Sequence, residues 1–395
     1  IEQKQNESIE TSKILNSEET VHKVSFNFVN TLNEETEKEN HELKEGFLDL
    51  NKFELCESFA KTSLYKQYKV ISKETKETFI AKISTITITK FSKDELINLR
   101  REVNIISQLN HPSFLRFIGY SPINFKEQRR PVIITEMPLN GSLKQILESE
   151  KENIKIDGWD ETQRLINIYG IASAMEYLHM NKIILRDLKP ESIFLNEYLF
   201  PKIGDFGLAT KHHSFSSMTF QSSSGVKGTP IYLAPEVIQS NKYTQQSDVY
   251  SFSLIVYEIM TYKAPFKGIS TMNQIFNEVV IKCSRPEIDQ SIPKCYKELI
   301  ECCWSQNSVE RPSFADIVNL LKNNTEFITE NVRKNDYLNY VEFIEESIKE
   351  FQSNKKILCL DEFIKMKNKI HENEDNSKNI INEEEEQTNS TDDDN

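Results

Sequence analysis

Three short runs of the chain concentrate residue types that could transfer a phosphoryl group. Phosphoryl transfer requires a carboxylate near the attacking hydroxyl, metal ions that neutralise the phosphates and a fixed lysine that orients them. Asp187 fits the first of these roles, and Asp205 fits the role of a ligand for Mg²⁺. The runs are, in chain order, Leu185-Arg186-Asp187-Leu188-Lys189-Pro190-Glu191-Ser192, Asp205-Phe206-Gly207 and Ala234-Pro235-Glu236.

Together these runs resemble the catalytic loop, the metal-binding motif and the end of the activation segment of the protein-kinase catalytic domain. Each run alone is short enough to arise by chance, but their order and spacing make the resemblance specific. It covers roughly residues 50–324 and implies ATP and Mg²⁺ as cofactors and a protein as the substrate. Gly119-Tyr120 and Asn140-Gly141-Ser142-Leu143 lean toward the tyrosine-kinase-like group of serine/threonine kinases.

The resemblance also implies roles for further charged residues. Lys82 matches the strand lysine that contacts the α and β phosphates. Glu102 is expected to face inward from a helix and to pair with Lys82. Lys189, two residues after the base Asp187, matches the serine/threonine-type lysine that steadies the transferred phosphate. These four residues are the candidate catalytic set.

Other matches imply binding of the adenine or support of the fold. Thr135 falls at the gatekeeper position, and Glu136, Met137 and Pro138 form the hinge that contacts the adenine. The supporting matches are Glu236 with Arg311 as a buried ion pair, Asp248 as a brace for the catalytic loop, and Gly228-Thr229-Pro230 as the substrate-facing loop.

The nucleotide site departs from the family pattern first in its phosphate-binding loop. No glycine occurs in residues 47–118, although the phosphates should lie under a glycine-rich turn. Aligned without gaps from Lys82, the three loop glycines fall on Ala60, Thr62 and Tyr65. Their Cβ atoms restrict φ and keep the backbone farther from phosphate, so cradling by backbone N–H groups should weaken.

Three further departures lie around the same ligand. Ser192 replaces the asparagine that supplies the second metal site, and its hydroxyl needs an intervening water to reach the same position. Pro138 stands where the hinge donates an N–H to the adenine; proline has none, which removes a hydrogen bond of about 1 kcal/mol. Leu185 replaces the histidine before Arg186, which removes a polar brace and leaves an apolar one.

Two interpretations of the chain follow from this mixture. In the first it is a serine/threonine kinase of reduced efficiency, because the main charged groups remain and charge stabilisation supplies most of the acceleration. In the second it is a pseudokinase, a binding or scaffolding module that keeps the fold without turnover. The segment 211–227 contains six serines and one threonine and is predicted to be either an activation loop controlled by phosphorylation, with Arg186 as the phosphate partner, or a flexible polar loop.

The secondary-structure pattern predicts a two-lobed α+β protein-kinase fold. Apolar and β-branched runs predict a small N-terminal antiparallel sheet (N-lobe, 50–137), with one helix that begins at a Ser92–Glu95 capping box. Helical periodicity then dominates a larger C-terminal lobe (142–324). The predicted strands are Phe53–Leu55, Tyr65–Ile71, Phe79–Ile83 and Val132–Thr135, and the predicted long helices cover Leu165–Leu178 and Val249–Met260.

The flanks of this domain, predicted over 47–325, differ from it in composition. Residues 1–46 and 371–395 carry more negative charge than the whole chain's net charge of -13, so they are predicted to be acidic, disordered segments. A helical extension is predicted over 326–370, packed on the core or on a regulatory protein partner. The near-neutral centre gives no reason to invoke nucleic acid.

The cysteines and the apolar stretches bear on where the chain works. Its six cysteines form no CxxC pair and no metal-ligand spacing, so neither a disulfide framework nor a zinc site is expected. The longest apolar stretch, near Phe252–Met260, is shorter than the roughly 20 residues that cross a bilayer. A cytoplasmic protein without a membrane anchor is therefore expected, although a chain that starts at Ile1 could lack an upstream targeting segment.

Overall fold

The computed structural model of the protein describes residues 47–62, 64–211, 220–221, 226–269 and 271–354. Its N-terminal part contains five strands: β1 (Phe53–Lys61), β2 (Tyr65–Ser72), β3 (Thr78–Ser84), β4 (Phe117–Ser121) and β5 (Val132–Glu136). They form one antiparallel sheet in the order β1-β2-β3-β5-β4. All four strands predicted from the sequence lie inside this sheet, and β4 is an additional strand.

The alternation of side chains gives this sheet two different faces. Phe79, Ala81 and Ile83 of β3 belong to a hydrophobic cluster on one face. Lys82 points to the opposite face because successive side chains of a strand alternate. In the observed register, Ser84 pairs with Tyr65. Tyr65 and Lys82 therefore lie on the same face of the sheet, next to each other.

A single long helix packs against the N-terminal sheet. This helix, α1 (Lys93–Ile106), begins at Ser92, whose hydroxyl accepts the N–H of Glu95, while the Glu95 carboxylate accepts the N–H of Ser92. The predicted capping box is thus present. Leu99 and Val103 are buried on the inner stripe of α1, and Glu102 is buried beside them. This stripe carries the glutamate toward β3.

The rest of the chain is mainly helical. Two of the helices, α3 and α5 in the list below, are buried along most of their length, which makes them the centre of the larger lobe. The predicted two-lobed α+β fold is confirmed. The helices are α2 (Leu143–Lys151), α3 (Glu161–Met180), α4 (Pro235–Ser240), α5 (Gln245–Thr261), α6 (Met272–Ile275), α7 (Lys294–Cys303) and α8 (Phe314–Asn323), with a π-helical segment at Phe276–Ile281.

Three short two-stranded pairs lie in the described part of the chain that contains the motifs found in the sequence. Asp187 follows the first strand of one pair, and Asp205 follows the second strand of another. The pairs are β6 (Ile183–Ile184) with β9 (Thr210–Lys211), β7 (Ile193–Leu195) with β8 (Pro201–Ile203), and β10 (Phe220–Gln221) with β11 (Lys242–Tyr243).

The described chain ends in a further helix, α9 (Lys334–Asn354), which packs on the larger lobe. Its buried side chains include Tyr337, Tyr340 and Phe343. Of the two alternatives for the helical extension, the structure thus places α9 on the core. The predicted acidic segments and residues 355–370 lie outside the described residues. Among the helices that are described, none combines the length and apolarity needed to cross a bilayer.

Candidate active site

Lys82 and Glu102 form an ion pair between the sheet and the helix of the smaller lobe. Lys82 Nζ on β3 donates a hydrogen bond of 2.7 Å to Glu102 Oε1 on α1. Burial lowers the pKa of Lys82, but the carboxylates of Glu102 and Asp205 outweigh burial and raise that pKa above its usual value. The lysine therefore stays charged at neutral pH, as a phosphate-binding group must.

The backbone that leads to Asp187 is fixed by Asp248 of α5. Asp248 Oδ2 accepts the N–H of Leu185 at 2.9 Å, and Asp248 Oδ1 accepts the N–H of Arg186 at 2.9 Å. His179 Nε2 lies 2.9 Å from Asp248 Oδ2 and fixes the carboxylate from behind. Asp248 is fully buried, so these charge-assisted bonds are strong. The structure places Asp248 where the sequence resemblance expects the brace.

Asp187 lies in a cluster of polar groups. Lys189 Nζ lies 2.5 Å from Asp187 Oδ2 and 3.0 Å from Thr229 Oγ1. The Thr229 hydroxyl and its backbone N–H both donate to Asp187 Oδ1 over 2.9 Å. Gly228 precedes them at φ +112, and a Cβ there would lie only 3.1 Å from the carbonyl oxygen of Arg186. The glycine lets the substrate-facing loop approach the candidate base.

Asp205 and Ser192 lie on adjacent segments. Gly204, just before Asp205, donates its N–H to the carbonyl of Ser192 over 2.9 Å. Asp205 itself has φ 61, in the left-handed region, and its side chain is exposed. A Cβ added at Gly207 would lie 3.5 Å from Asp205 Oδ1 and 3.9 Å from Glu102 Oε2. The two carboxylates therefore border one space, with Lys82 between the lobes beside them.

The donor set at this place fits Mg²⁺ that shares its ligands with a nucleotide. Within the described ranges, no three or more His, Cys, Asp or Glu side chains are grouped as a complete metal site. Mg²⁺ commonly takes one or two carboxylates and completes its shell with waters and substrate phosphates. Asp205 is the carboxylate that would hold the ion. The hydroxyl of Ser192, which is buried, would contribute through a water.

The turn between β1 and β2 uses its own hydrogen-bonding groups. Thr62 donates its N–H to the carbonyl of Tyr65 over 2.8 Å, and Tyr65 donates its N–H to Thr62 Oγ1 over 3.1 Å. Ala60 is paired with Gln67 across the hairpin. Two of the three positions that align with loop glycines therefore have N–H groups committed to the turn. The structure supplies a second reason, beyond the Cβ atoms, for weak phosphate cradling.

The side chain of Tyr65 covers the lysine of the site. The ammonium of Lys82 lies 4.6 Å from the centre of the Tyr65 ring, a cation–π distance. Burial, followed by the Glu102 carboxylate, raises the pKa of Tyr65 to about 12, so the phenol stays neutral at physiological pH. The sequence predicted a missing glycine at this position but not this contact. An incoming phosphate must displace or accommodate the ring to reach Lys82.

The segment expected to contact the adenine begins at the end of β5. Thr135 pairs with Ile80 of β3, so it lies on the Lys82 face of the sheet. Glu136 donates its N–H to the carbonyl of Arg116 over 2.9 Å, and its carboxylate lies 3.1 Å from Lys202 Nζ. Pro138 follows this anchored end after one residue, Met137. The hinge is therefore firmly held but lacks the donor that proline cannot supply.

The activation segment is tied to the larger lobe at both ends of its described part. Arg186 lies over the ring of Tyr243 at 4.0 Å, and its Nη1 donates to the carbonyl of Leu208. The Tyr243 hydroxyl lies 2.6 Å from both the N and the O of Lys227. The serines and threonine of the predicted phosphorylation loop fall in 212–219 and 222–225, outside the described residues, and that hypothesis stays a prediction.

Glu236 and Arg311 lie where the resemblance expects a buried ion pair. Arg311 Nη1 donates to Glu236 Oε1 over 2.8 Å, and Nη2 donates to Glu236 Oε2 over 2.9 Å. Arg311 also donates to the carbonyls of Gln246 and Ser305. Its side chain is fully buried. This bidentate contact fixes α4, which follows the activation segment, to the larger lobe.

The predicted site residues fall into three groups in the structure, and we call the region that these groups occupy the cleft. Thr229 and the ring of Tyr65 also contact residues of these groups, and neither contact was predicted from the sequence. The groups are Lys82, Glu102 and Asp205; Asp187, Lys189 and Ser192 on the catalytic loop; and Ala60, Thr62, Thr135, Glu136 and Pro138 along the sheet and hinge.

This fold and cleft define a protein kinase domain, and comparison with known proteins gives the same family. The model of the protein kinase domain family matches residues 63–321. The chain therefore belongs to the protein kinase domain family, whose members use ATP and a divalent metal. The match ends before α9.

Several characterised or named kinases are similar to this chain. Dual specificity protein kinase shkC of Dictyostelium discoideum is 32% identical over 233 residues, which is 58% of this chain and 44% of that protein. Serine/threonine-protein kinase CTR1 of Arabidopsis thaliana is 34% identical over 236 residues, 59% of this chain and 27% of that protein. A putative serine/threonine-protein kinase/receptor R818 of Acanthamoeba polyphaga mimivirus is 32% identical over 58% of this chain and 13% of its own length. The chain spans less than half the length of each.

A buried glutamate beside the substrate-facing loop gives a pH prediction. Glu258 Oε1 accepts the Tyr232 hydroxyl at 2.6 Å, and Lys144 Nζ lies 4.0 Å from both Glu258 and Glu191. Burial raises the pKa of Glu258 to about 7, against the lowering effects of Tyr232 and Lys144. Because the pKa of Glu258 is higher in the folded protein than in the unfolded chain, the protonated carboxyl group contributes to stability. This contribution is complete below the pKa of the unfolded chain and is lost as the pH rises through about 7.

Between pH 4.5 and 8 we therefore expect the free energy of unfolding to fall by about 3 kcal/mol more in the parent than in Glu258→Gln. The glutamine keeps an oxygen for the Tyr232 hydroxyl but does not titrate. Urea denaturation of both proteins at four pH values measures the difference. Parallel pH profiles would contradict the account of Glu258.

Proposed function

We propose that the chain is an ATP-dependent serine/threonine protein kinase with a weakened nucleotide site. Its reaction is the transfer of the γ-phosphate of ATP to a hydroxyl of a protein substrate. The observation that carries the proposal is the set of contacts among the charged residues: Asp187 is bonded to Lys189 and Thr229, and Lys82 is bonded to Glu102, with Asp205 close enough to favour its charge. A base, two oriented cations and a metal carboxylate are the groups that phosphoryl transfer requires.

Each residue of the cleft has one task in this proposal. Asp187 accepts the proton of the attacking hydroxyl, and Lys189 steadies the transferred phosphate. Thr229 holds the Asp187 carboxylate with two donors, which keeps the base oriented. Lys82, aligned by Glu102, orients the α and β phosphates. Mg²⁺, when bound through Asp205, supplies neutralisation of the phosphate charge.

The reduced efficiency is proposed from the nucleotide side of the cleft. The turn at Thr62 and Tyr65 uses its own N–H groups, and Pro138 has no N–H to offer. Ser192 cannot reach a metal directly as an asparagine would. The Tyr65 ring lies over Lys82. All of these features weaken ATP binding, whereas none of them removes a group that acts on the transferred phosphate.

The second candidate function is a scaffolding module without turnover. The contact that favours it is the Tyr65 ring on Lys82, because a permanent cover would exclude the phosphates. Retention of Asp187, Lys189 and Asp205 in one cleft favours the enzyme, since a pure scaffold has no need for them. A regulatory protein partner remains part of both proposals.

A cytoplasmic location is proposed with the enzyme. The cysteines in the described part of the chain, among them Cys295 and Cys303, are free thiols. Free thiols, including buried ones, are typical of reducing compartments. Protein substrates, rather than nucleic acid or a membrane surface, are proposed because the middle of the chain is near neutral in charge.

We expect Tyr65→Gly to improve ATP use. The variant removes the ring from Lys82 and restores a glycine to the loop, so the KM for ATP should fall about 10-fold, the equivalent of one cation–π contact. Steady-state phosphotransfer from labelled ATP to a basic protein substrate measures this. Tyr68→Gly is the matched control, because it removes another tyrosine of β2 that lies under a lysine, Lys66, rather than Lys82.

The same assay separates the two proposed functions. Slow turnover in the parent and a lower KM in Tyr65→Gly alone support the weakened kinase. An equal effect of both glycine substitutions would mean that β2 is merely loosened. If neither the parent nor Tyr65→Gly transfers phosphate, and melting profiles show that both proteins are folded, the weakened-kinase proposal fails and the scaffolding proposal remains.

A further inference from the structure

The C-terminal helix α9 lies beyond the residues that match the kinase family, yet it is built into the larger lobe. The chain before α9 is fastened to the start of α3. Thr329 Oγ1 donates to Glu161 Oε2 over 2.8 Å, and Arg333 donates its N–H to Thr162 Oγ1 over 2.9 Å. These bonds satisfy side chains at the end of a central helix. The position of α9 on the lobe is therefore fixed.

One buried side chain of α9, that of Tyr340, contacts two segments that are distant from it in the chain. Tyr340 is 2% exposed, and its ring centre lies 4.5 Å from that of Phe200. Its hydroxyl lies 3.3 Å from Ser113 Oγ, in the loop between α1 and β4. A Cβ at Gly170 of α3 would lie 2.3 Å from this hydroxyl. The absence of a side chain at Gly170 thus leaves the space that the Tyr340 hydroxyl occupies next to Ser113.

Two of the contacts of Tyr340, those to Phe200 and Ser113, connect it to β8, the strand that ends two residues before Asp205. Phe200 directly precedes this strand. At its other end, Ile203 donates its N–H to the carbonyl of Ser113 over 2.7 Å. The ring of Tyr340 therefore contacts the residue before β8, and the hydroxyl of Tyr340 contacts Ser113, which is bonded to the last residue of β8.

We infer that Tyr340 is a positioning residue for Asp205, so that the C-terminal helix fixes the metal carboxylate of the cleft. The physical link runs from Tyr340 to Ser113, from Ser113 to Ile203, and through Gly204 to Asp205. Asp205 has a left-handed backbone conformation that is unfavourable for a residue with a Cβ, so it needs support from its neighbours. The metal role of Asp205 rests on the proposed function, but the link itself does not.

The link makes a prediction for hydrogen exchange that holds whether or not the chain is an active enzyme. In Tyr340→Leu, the backbone amides of 202–205 should exchange about 5-fold faster, because a buried hydrogen bond and a ring contact that restrain β8 are lost. Tyr340→Phe, which keeps the ring, and Ser113→Ala should each give a smaller increase. Exchange followed by mass spectrometry on the full chain measures these rates.

Tyr337→Phe is the matched control for a change that only weakens α9. Tyr337 is also buried on α9 and contacts Tyr169, but its hydroxyl donates to the carbonyl of Leu321 in α8 rather than to Ser113. We expect exchange of the amides of 202–205 to be unchanged in this control. If Tyr340→Leu is folded with parent exchange rates there, or if Tyr337→Phe gives the same increase, the inference is overturned. Should Tyr340→Leu fail to fold, Tyr340→Phe and Ser113→Ala decide in the same way.

A second measurement connects the link to the metal. The gain in ATP affinity on adding Mg²⁺ should be smaller in Tyr340→Phe than in the parent and equal to the parent in Tyr337→Phe. Faster exchange with an unchanged Mg²⁺ gain would overturn the positioning of Asp205. If the parent shows no ATP binding, the proposed function fails, and the exchange rates alone decide whether α9 restrains β8.

Discussion

Asp205→Asn is expected to lower phosphotransfer by about 1,000-fold, the usual scale for the loss of one electrostatic group that acts in the transition state. The side chain of Asp205 is exposed, and in the proposed function it holds Mg²⁺. Because an amide binds this ion much less well than a carboxylate, the phosphate charge loses its neutralisation. The melting temperature should stay close to that of the parent, since the exposed carboxylate contributes little to the core.

Labelled ATP, a basic protein substrate and thermal melting are sufficient for this comparison. Asp157→Asn serves as the control, because Asp157 is an exposed aspartate outside the motifs of the candidate site. It should keep parent activity. If Asp205→Asn retains the activity of the parent, the signal comes from a contaminating kinase and the scaffolding proposal gains.

Arg311→Met is expected to destabilise the fold by about 3–5 kcal/mol, the usual cost of removing one partner from a buried ion pair. Arg311 donates to both carboxylate oxygens of Glu236 and to the carbonyls of Gln246 and Ser305. The variant leaves Glu236 without its counter-ion and two carbonyls without a donor. Such losses exceed the hydrophobic gain of the methionine.

Denaturant titration monitored by circular dichroism measures this loss. Lys297→Met is the matched control, because Lys297 lies 3.9 Å from Glu301 in an ion pair that is about half exposed. Exposed pairs of this kind are worth less than about 1 kcal/mol. A similar small change in the free energy of unfolding of both variants would show that the ion pair of Glu236 and Arg311 does not stabilise the fold as expected.

The charged groups of the candidate site could be singled out from the sequence because their motifs are local. Asp187, Lys189 and Asp205 lie in short runs whose order could be recognised directly. Lys82 and Glu102 needed one further step, the inward face of a capped helix, and the structure places them 2.7 Å apart. Where residue type and short-range periodicity decide the position, the prediction was therefore close to the structure.

Other parts could not be predicted because they depend on distant contacts. The strand β4 contains Gly119, a poor strand former, and is stabilised by its pairing with β5. The ring of Tyr65 lies over Lys82 because of the register between β2 and β3, which no short motif specifies. Strand alternation would have placed both on one face, and this signal was available once the register was known.

The docking of α9 shows the same limit at longer range. The apolar stripe of α9 predicted a packed helix but left open whether it packs on the core or on a partner. The decision comes from Tyr340, which meets Ser113, and from Gly170, which makes room for it. Such complementarity between residues far apart in the chain appears only when the fold is assembled.

Calorimetric titration of the purified chain with ATP, in the presence and absence of Mg²⁺, tests the central claim most directly. The claim is that the cleft still binds nucleotide through Lys82 and Asp205, but weakly because of its turn, hinge and tyrosine cover. We predict a dissociation constant above about 100 μM, in the weak part of the range usual for enzyme substrates, with tighter binding when Mg²⁺ is present. Low-micromolar binding, binding that ignores Mg²⁺, or no binding at millimolar ATP would each contradict the account.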